Sequence, residues 1–106
     1  MLNLQCSNEE KIPVAVAPVT AAGNPASVEV GTLKVTVTSG DGTANVLSDM
    51  TFELVSGPGA GDTVYHVEAD ADLGPGLATI GDDVMLTVRL AEATALGLTA
   101  ASPQPK

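Results

Sequence analysis

The segment Asp62–Gly76, DTVYHVEADADLGPG, restricts the possible folds more than any other part of the chain. Taken in steps of two, Tyr65, Val67, Ala69 and Ala71 fall on one side, and Asp62, Val64, His66, Glu68, Asp70 and Asp72 on the other. Successive side chains of a β-strand point to opposite faces, so this alternation predicts a half-buried strand with its apolar set inward and its charged set outward. Gly74-Pro75-Gly76 ends it. Every other segment is then expected to lie beside this strand or to pack across from it.

Several segments have the same period. Lys11–Thr20 turns Ile12, Val14 and Val16 inward, and Pro13 and Pro18, which lack the amide hydrogen of a central ladder position, make it an edge strand. Ala21–Pro25 is a turn, and Ala26–Val30 is a short strand or the second half of the first one, crossing to the other sheet. Leu33–Ser39 points Leu33, Val35 and Val37 in and Lys34, Thr36 and Thr38 out. Gly40-Asp41-Gly42 then carries the Asp-Gly signal of a hairpin returning through Thr43–Leu47. Met50–Ser56 buries Phe52 and Leu54, and Gly57–Gly61, with three glycines and a proline, is a surface loop.

After the organising strand, Leu77–Ile80 is expected as a brief edge segment. Asp83–Ala91 is a strand with Val84, Leu86, Val88 and Leu90 inward, and Thr94–Thr99 closes the fold with Leu96 and Leu98. Ala, Glu and Leu between Leu90 and Leu98 favour a helix, but the alternation and Gly97 oppose one. Met1–Glu10 is polar and unpatterned and is expected as a flexible arm; residues 11–100 make the domain and residues 101–106 a frayed tail. About seven short antiparallel strands, spaced roughly ten residues apart by glycine-rich turns, predict an all-β sandwich with Greek-key connections.

A chain of 106 residues holds one core. With one Phe, one Tyr and no Trp, that core is aliphatic, which leaves room for stabilisation by neighbours in an assembly. Thirteen acidic residues against four basic ones give a net charge of −9. Such a surface repels phosphate backbones and anionic membranes, so neither nucleic acid nor membrane is an expected partner.

Few residues offer chemistry. His66 is the only histidine, and on the alternation it lies outward beside Glu68, as a surface or interface imidazole rather than a general base. Cys6 is the only cysteine, so no internal disulfide forms; it is a free thiol on the arm or a point of intermolecular contact. Among the carboxylates, Asp72, Asp82 and Asp83 flank expected turns and are the candidates for a Ca²⁺ site, since alternate residues of one strand, about 6.6 Å apart, are too far apart to share an ion without a loop. A solvated acidic face is the simpler reading. The Gly57–Gly61 loop lacks the Lys-Ser/Thr ending and following helix of a phosphate cradle. No enzyme and no cofactor are expected.

The segments AAGNPASVE (Ala21–Glu29), EADADLGPG (Glu68–Gly76) and AEATALGLTAASPQP (Ala91–Pro105) together resemble small bacterial Ig-like domains of the group 2 kind, found in single-domain proteins of tailed bacteriophages and prophages. That family reads "DxxGNPAxVDG", then "VTADADLGxG", and ends on "AxxxxLTAGxP"; ADADLGPG is the most specific match. Where the family often has a Trp near its second strand, this chain reads Leu33-Lys34-Val35.

The resemblance implies an immunoglobulin-like sandwich and a structural role in a virion made in the bacterial cytoplasm, and it transfers no catalytic residue. The expected role is a capsid decoration or cement protein in many copies, in contact with capsid proteins and with sister copies. The alternative is a head-fibre or cell-surface module that binds host glycans. Cys6, Pro13, Val64, His66 and Met85 are the expected contact residues.

Overall fold

The structure, a computed structural model, describes residues 1–72 and 77–106, the side chains of residues 72 and 77 excepted. Its strands are β1 (Leu2–Ser7), β2 (Lys11–Ala15), β3 (Ser27–Val28), β4 (Lys34–Ser39), β5 (Thr43–Ser48), β6 (Thr51–Val55), β7 (Gly61–Asp72) and β8 (Leu77–Arg89). They form two sheets. The long one runs β1-β8-β7, with β3 and β4 sharing the far edge of β7; the short one runs β2-β6-β5. The protein is all-β and sandwich-like, because one cluster built from Cys6, Leu33, Phe52, Leu54, Tyr65, Ala69, Val84, Leu86 and Val88 draws on both sheets.

The organising strand forms as its period requires: Tyr65, Ala69 and Ala71 are buried, while His66, Glu68 and Asp70 are partly exposed. The buried face starts earlier than expected, at Thr63, which is 1% exposed and accepts a hydrogen bond from the Gly42 amide through Oγ1 at 3.1 Å. That bond removes the cost of burying the hydroxyl. The β6 side chains Phe52 and Leu54 face this strand and are buried. Tyr65 bridges the sheets, its hydroxyl 3.2 Å from the Thr43 carbonyl and 3.4 Å from that of Val55.

Four expectations are corrected by the fold. Residues 2–7, expected within a flexible arm, form β1, paired parallel to β8 from Leu2↔Val84 to Ser7↔Arg89. The reason is visible in LNLQCS: Leu2, Leu4 and Cys6 alternate with Asn3, Gln5 and Ser7, so Cys6 and Leu4 pack on the core, Leu2 at the strand's start stays exposed, and the other face is polar. This pairing makes the sandwich only partly antiparallel, with eight described strands instead of about seven.

Gly40-Asp41-Gly42 does not close a hairpin. β4 pairs with β7 in the long sheet and β5 with β6 in the short one, so these residues carry the chain from sheet to sheet. The glycines let the backbone press on β7: Gly40 sits at φ +96°, and a side chain at Gly42 would land on the Tyr65 hydroxyl. On the outside, Asp41 accepts the Gly59 amide at 3.2 Å, tying the crossing to the Gly57–Gly61 loop.

Residues 77–91, expected as an edge segment and a separate strand, contain one 13-residue strand, β8, in the interior of its sheet. Gly81, Asp82 and Asp83, expected near a turn, are paired mid-strand with Glu68, Val67 and His66. Finally, Leu90 is exposed, and Thr94–Thr99 is not a strand. Residues 90–106 run away from the body without regular structure, which stretches the molecule to 83 × 26 × 23 Å. Val88 fills the last inward position of β8, and among the described residues the pairing of β8 ends at Val88 with β7 and at Arg89 with β1.

Candidate interaction surface

The outer face of the long sheet holds most of the residues singled out in the sequence. β7 contributes Val64, His66, Glu68 and Asp70, and β8 contributes Thr79, Gly81, Asp83, Met85 and Thr87. Because the two strands are in continuous register over twelve pairs, these side chains meet across the ladder: Val64 stands opposite Met85, His66 opposite Asp83 and Asp70 opposite Thr79. Val64 and Met85 are both half-buried and make an apolar spot on a mostly polar face.

Around His66 the geometry is specific. Its Nδ1 lies 2.8 Å from Asp83 Oδ1, and its Nε2 lies 3.6 Å from Glu68 Oε2. A methyl group at Gly81 would come within 3.0 Å of the imidazole Cε1, so the absent side chain there leaves the ring its place. The hydrogen bond to Asp83, helped by the charges of Asp83 and Glu68, raises the His66 pKa above its ordinary 6.5. Sequence spacing brought out the His66–Glu68 pair; the Asp83 partner, 17 residues away, comes only from the register of the hairpin.

This arrangement clamps an imidazole between two carboxylates. Cys6, the chain's one thiol, lies on the other face in the core. It is 4% exposed, and burial first, then the neighbouring Glu10 charge, pushes its pKa up, away from the reactive thiolate. The structure therefore places Cys6 as a core side chain, not on a mobile arm. Pro13 lies mid-way along β2, the edge of the short sheet, opposite Glu53. Its missing amide hydrogen blunts that edge, while Lys11 beside it pairs with Glu53 at 3.1 Å.

The three calcium candidates do not converge. Asp72 has its side chain outside the described residues. Asp82 and Asp83 are adjacent in β8 and point to opposite faces: Asp83 holds His66, whereas Asp82 lies 3.9 Å from the Met1 amino group. Among the described residues there is no group of three or more side chains suited to hold a metal.

Elsewhere apolar side chains are exposed on β4 and β5 (Val37, Val46, Leu47) and around a cleft that the sequence did not single out. Where β7 and β8 extend past the short sheet, the crossover of residues 16–33 covers them incompletely. A cleft of about 180 Å³ remains, lined by Val16, Val28, Leu33, Val67, Ala71 and Ile80, with Glu68 and Asp82 also on its wall. Val19, Val30 and Met50, from the crossover and the β5–β6 turn, are exposed. Comparison of the chain with protein-family models, with curated proteins and with solved structures gives no match.

Proposed function

We propose that this chain is a structural protein of a tailed-bacteriophage particle, most concretely a capsid decoration or cement protein with an immunoglobulin-like sandwich. The motif resemblance centred on Ala69–Gly76 is its source. The strand wiring supports it: the first strand runs parallel to the last, the last hairpin occupies the middle of one sheet with β4 at its side, and β2-β6-β5 form the other. Two packed sheets are what the immunoglobulin-like reading requires.

The observation that carries an adhesive role is the placement of exposed apolar side chains. They lie at the cleft end of the long sheet (Val19, Val30, Ile80), on β4 and β5 (Val37, Val46, Leu47) and along residues 90–106 (Leu90, Leu96, Leu98), whereas polar side chains of the outer β7–β8 face pair across strands. Its work would be contact: many acidic, soluble copies fixed to capsid proteins and to each other. Mass spectrometry of purified particles tests this, with the chain expected in stoichiometric amounts relative to the major capsid protein; its absence overturns the reading. The glycan-binding alternative has less support, because sugar rings stack on exposed aromatic faces, and Phe52 and Tyr65, the chain's only aromatics, are 2% and 0% exposed.

A further inference from the structure

Two apolar features stand exposed among the described residues, and they lie at opposite ends of the long sheet. One is the apolar cleft beside Ile80 and Ala71, at the end of the β7–β8 ribbon where those strands outrun the short sheet. The other is the segment 90–106, which leaves β8 at Arg89 and exposes Leu96 and Leu98 by 88% and 85%. These leucines are two residues apart, so an extended backbone puts both on one face about 6.6 Å apart. We propose that Leu96 and Leu98 of one copy seat in the cleft of a second copy, linking copies head to tail.

Chain length excludes the same copy as the partner. The Ala91 amide donates to Asn8 Oδ1 at 2.8 Å, which pins the start of the segment at the far end of the sandwich. From Ala91, Leu96 reaches at most about 18 Å and Leu98 about 25 Å in full extension. Ile80 is nine residues back along β8 from Arg89, about 30 Å at the rise of a strand. Neither leucine spans that distance even without the reversal of direction it would need.

Charge favours this contact over a contact between bodies. Residues 1–89 hold twelve of the thirteen acidic residues and three of the four basic ones, a net −9, so two bodies repel. Residues 90–106 hold only Glu92 and Lys106 and are neutral. A neutral strand can approach a cleft walled by Glu68 and Asp82 where an acidic surface cannot. The volume is adequate: a cavity of about 150 Å³ accepts a benzene ring, and 180 Å³ open on one side takes one isobutyl group fully and leaves its mouth for the second.

Donor and acceptor lie at opposite ends of one sheet, so copies aligned in one direction repeat the contact as rings or rows, whereas two antiparallel copies exchanging segments would close as a dimer. A single strand in one cleft buries less than the roughly 1,200 Å² of a stable interface. The link is therefore weak between free copies and strengthens when a particle holds them side by side. This deepens the multicopy reading above by naming a second copy as the partner of residues 94–99.

The test uses the full chain. Ile80→Cys with Leu96→Cys, oxidised at high protein concentration, is expected to give a ladder of disulfide-linked dimers, trimers and higher species on a non-reducing gel. Either single variant gives dimers at most. Sedimentation of the unmodified chain at rising concentration is expected to show growing mass. Leu96→Asp with Leu98→Asp should weaken that self-association at least tenfold while leaving the melting temperature unchanged, since both positions are exposed. A double-cysteine variant that crosslinks only within one chain, or not beyond dimers, overturns the proposal, as does equal association in the Asp variant. A chain that is stoichiometric in particles but fails these tests removes this contact alone and leaves the virion reading standing.

Discussion

The two ends of the β7–β8 ribbon share strands, register and alternation, yet they are covered differently. At the near end, Thr63, Tyr65, Val84, Leu86 and Val88 lie under the short sheet, with Phe52 and Leu54 closing the space. At the far end, Val67, Ala69, Ala71 and Ile80 line a cleft with Val16, Val28 and Leu33 of the crossover, and small side chains replace large ones. The difference lies in strand length: β2 and β6 have five residues each, whereas β7 and β8 have twelve and thirteen. A face continues as far as its strand does, but a core continues only as far as something packs on it.

Stability measurements can break or sharpen this contrast. Leu54→Ala removes a fully buried side chain from the near end and should cost about 2–5 kcal/mol, read from urea unfolding. Ile80→Ala at the far end, where the side chain is 41% exposed, should cost less than about 1 kcal/mol. Similar losses at the two positions would mean that the far end is as well covered as the near one.

A smaller effect tests the crossing between the sheets. Gly42→Ala drives a methyl group against Tyr65 Oη and Thr63, and overpacking of this kind costs about 1–3 kcal/mol. Smaller again is Tyr65→Phe, which deletes the hydroxyl that reaches Thr43 and Val55 and should cost about 0.5–1.5 kcal/mol. If Tyr65→Phe is neutral, the near end is held by apolar packing alone.

The smallest effect lies at the junction of the two ends, where His66 faces Asp83 on β8 and Glu68 on its own strand, with Thr36 opposite on β4 and Lys34 opposite Glu68. Its pKa is raised on folding, so the protonated ring binds its partners better in the folded state. That contribution is complete below the ordinary pKa of 6.5 and fades as pH rises through the higher folded value. Imidazole resonances followed by NMR should titrate above 6.5, and Asp83→Asn should bring the midpoint down. An unchanged midpoint in Asp83→Asn would show that the 2.8 Å contact has no influence on the ring.

Period-two alternation made the organising strand, the buried pair Phe52 and Leu54, and the inward set Val84, Leu86 and Val88 of β8 legible in the sequence, whereas on β4 Val35 is only half-buried and Val37, expected inward, is exposed. It also contained β1, since LNLQCS alternates, but the polar residues around it hid the signal. What alternation cannot carry is partnership. The Asp-Gly turn reads locally as a hairpin, yet its flanking strands find better partners in opposite sheets, and its glycines are needed because β7 lies directly beneath them. Gly81-Asp82-Asp83 reads as a break, yet pairing with Val67 and His66 holds it extended.

The sequence alone determined that this chain is all-β and anionic, because side-chain period and composition are local properties and survive any arrangement of the strands; the expected aliphatic core is instead centred on Tyr65 and Phe52, the largest side chains buried in it. The tertiary structure decided which strands are neighbours, that Cys6 is buried, that His66 faces Asp83, and that Leu96 and Leu98 are exposed. Each of these depends on contacts between residues far apart in sequence, where the strengths of competing pairings, and not the preference of any one segment, select the outcome.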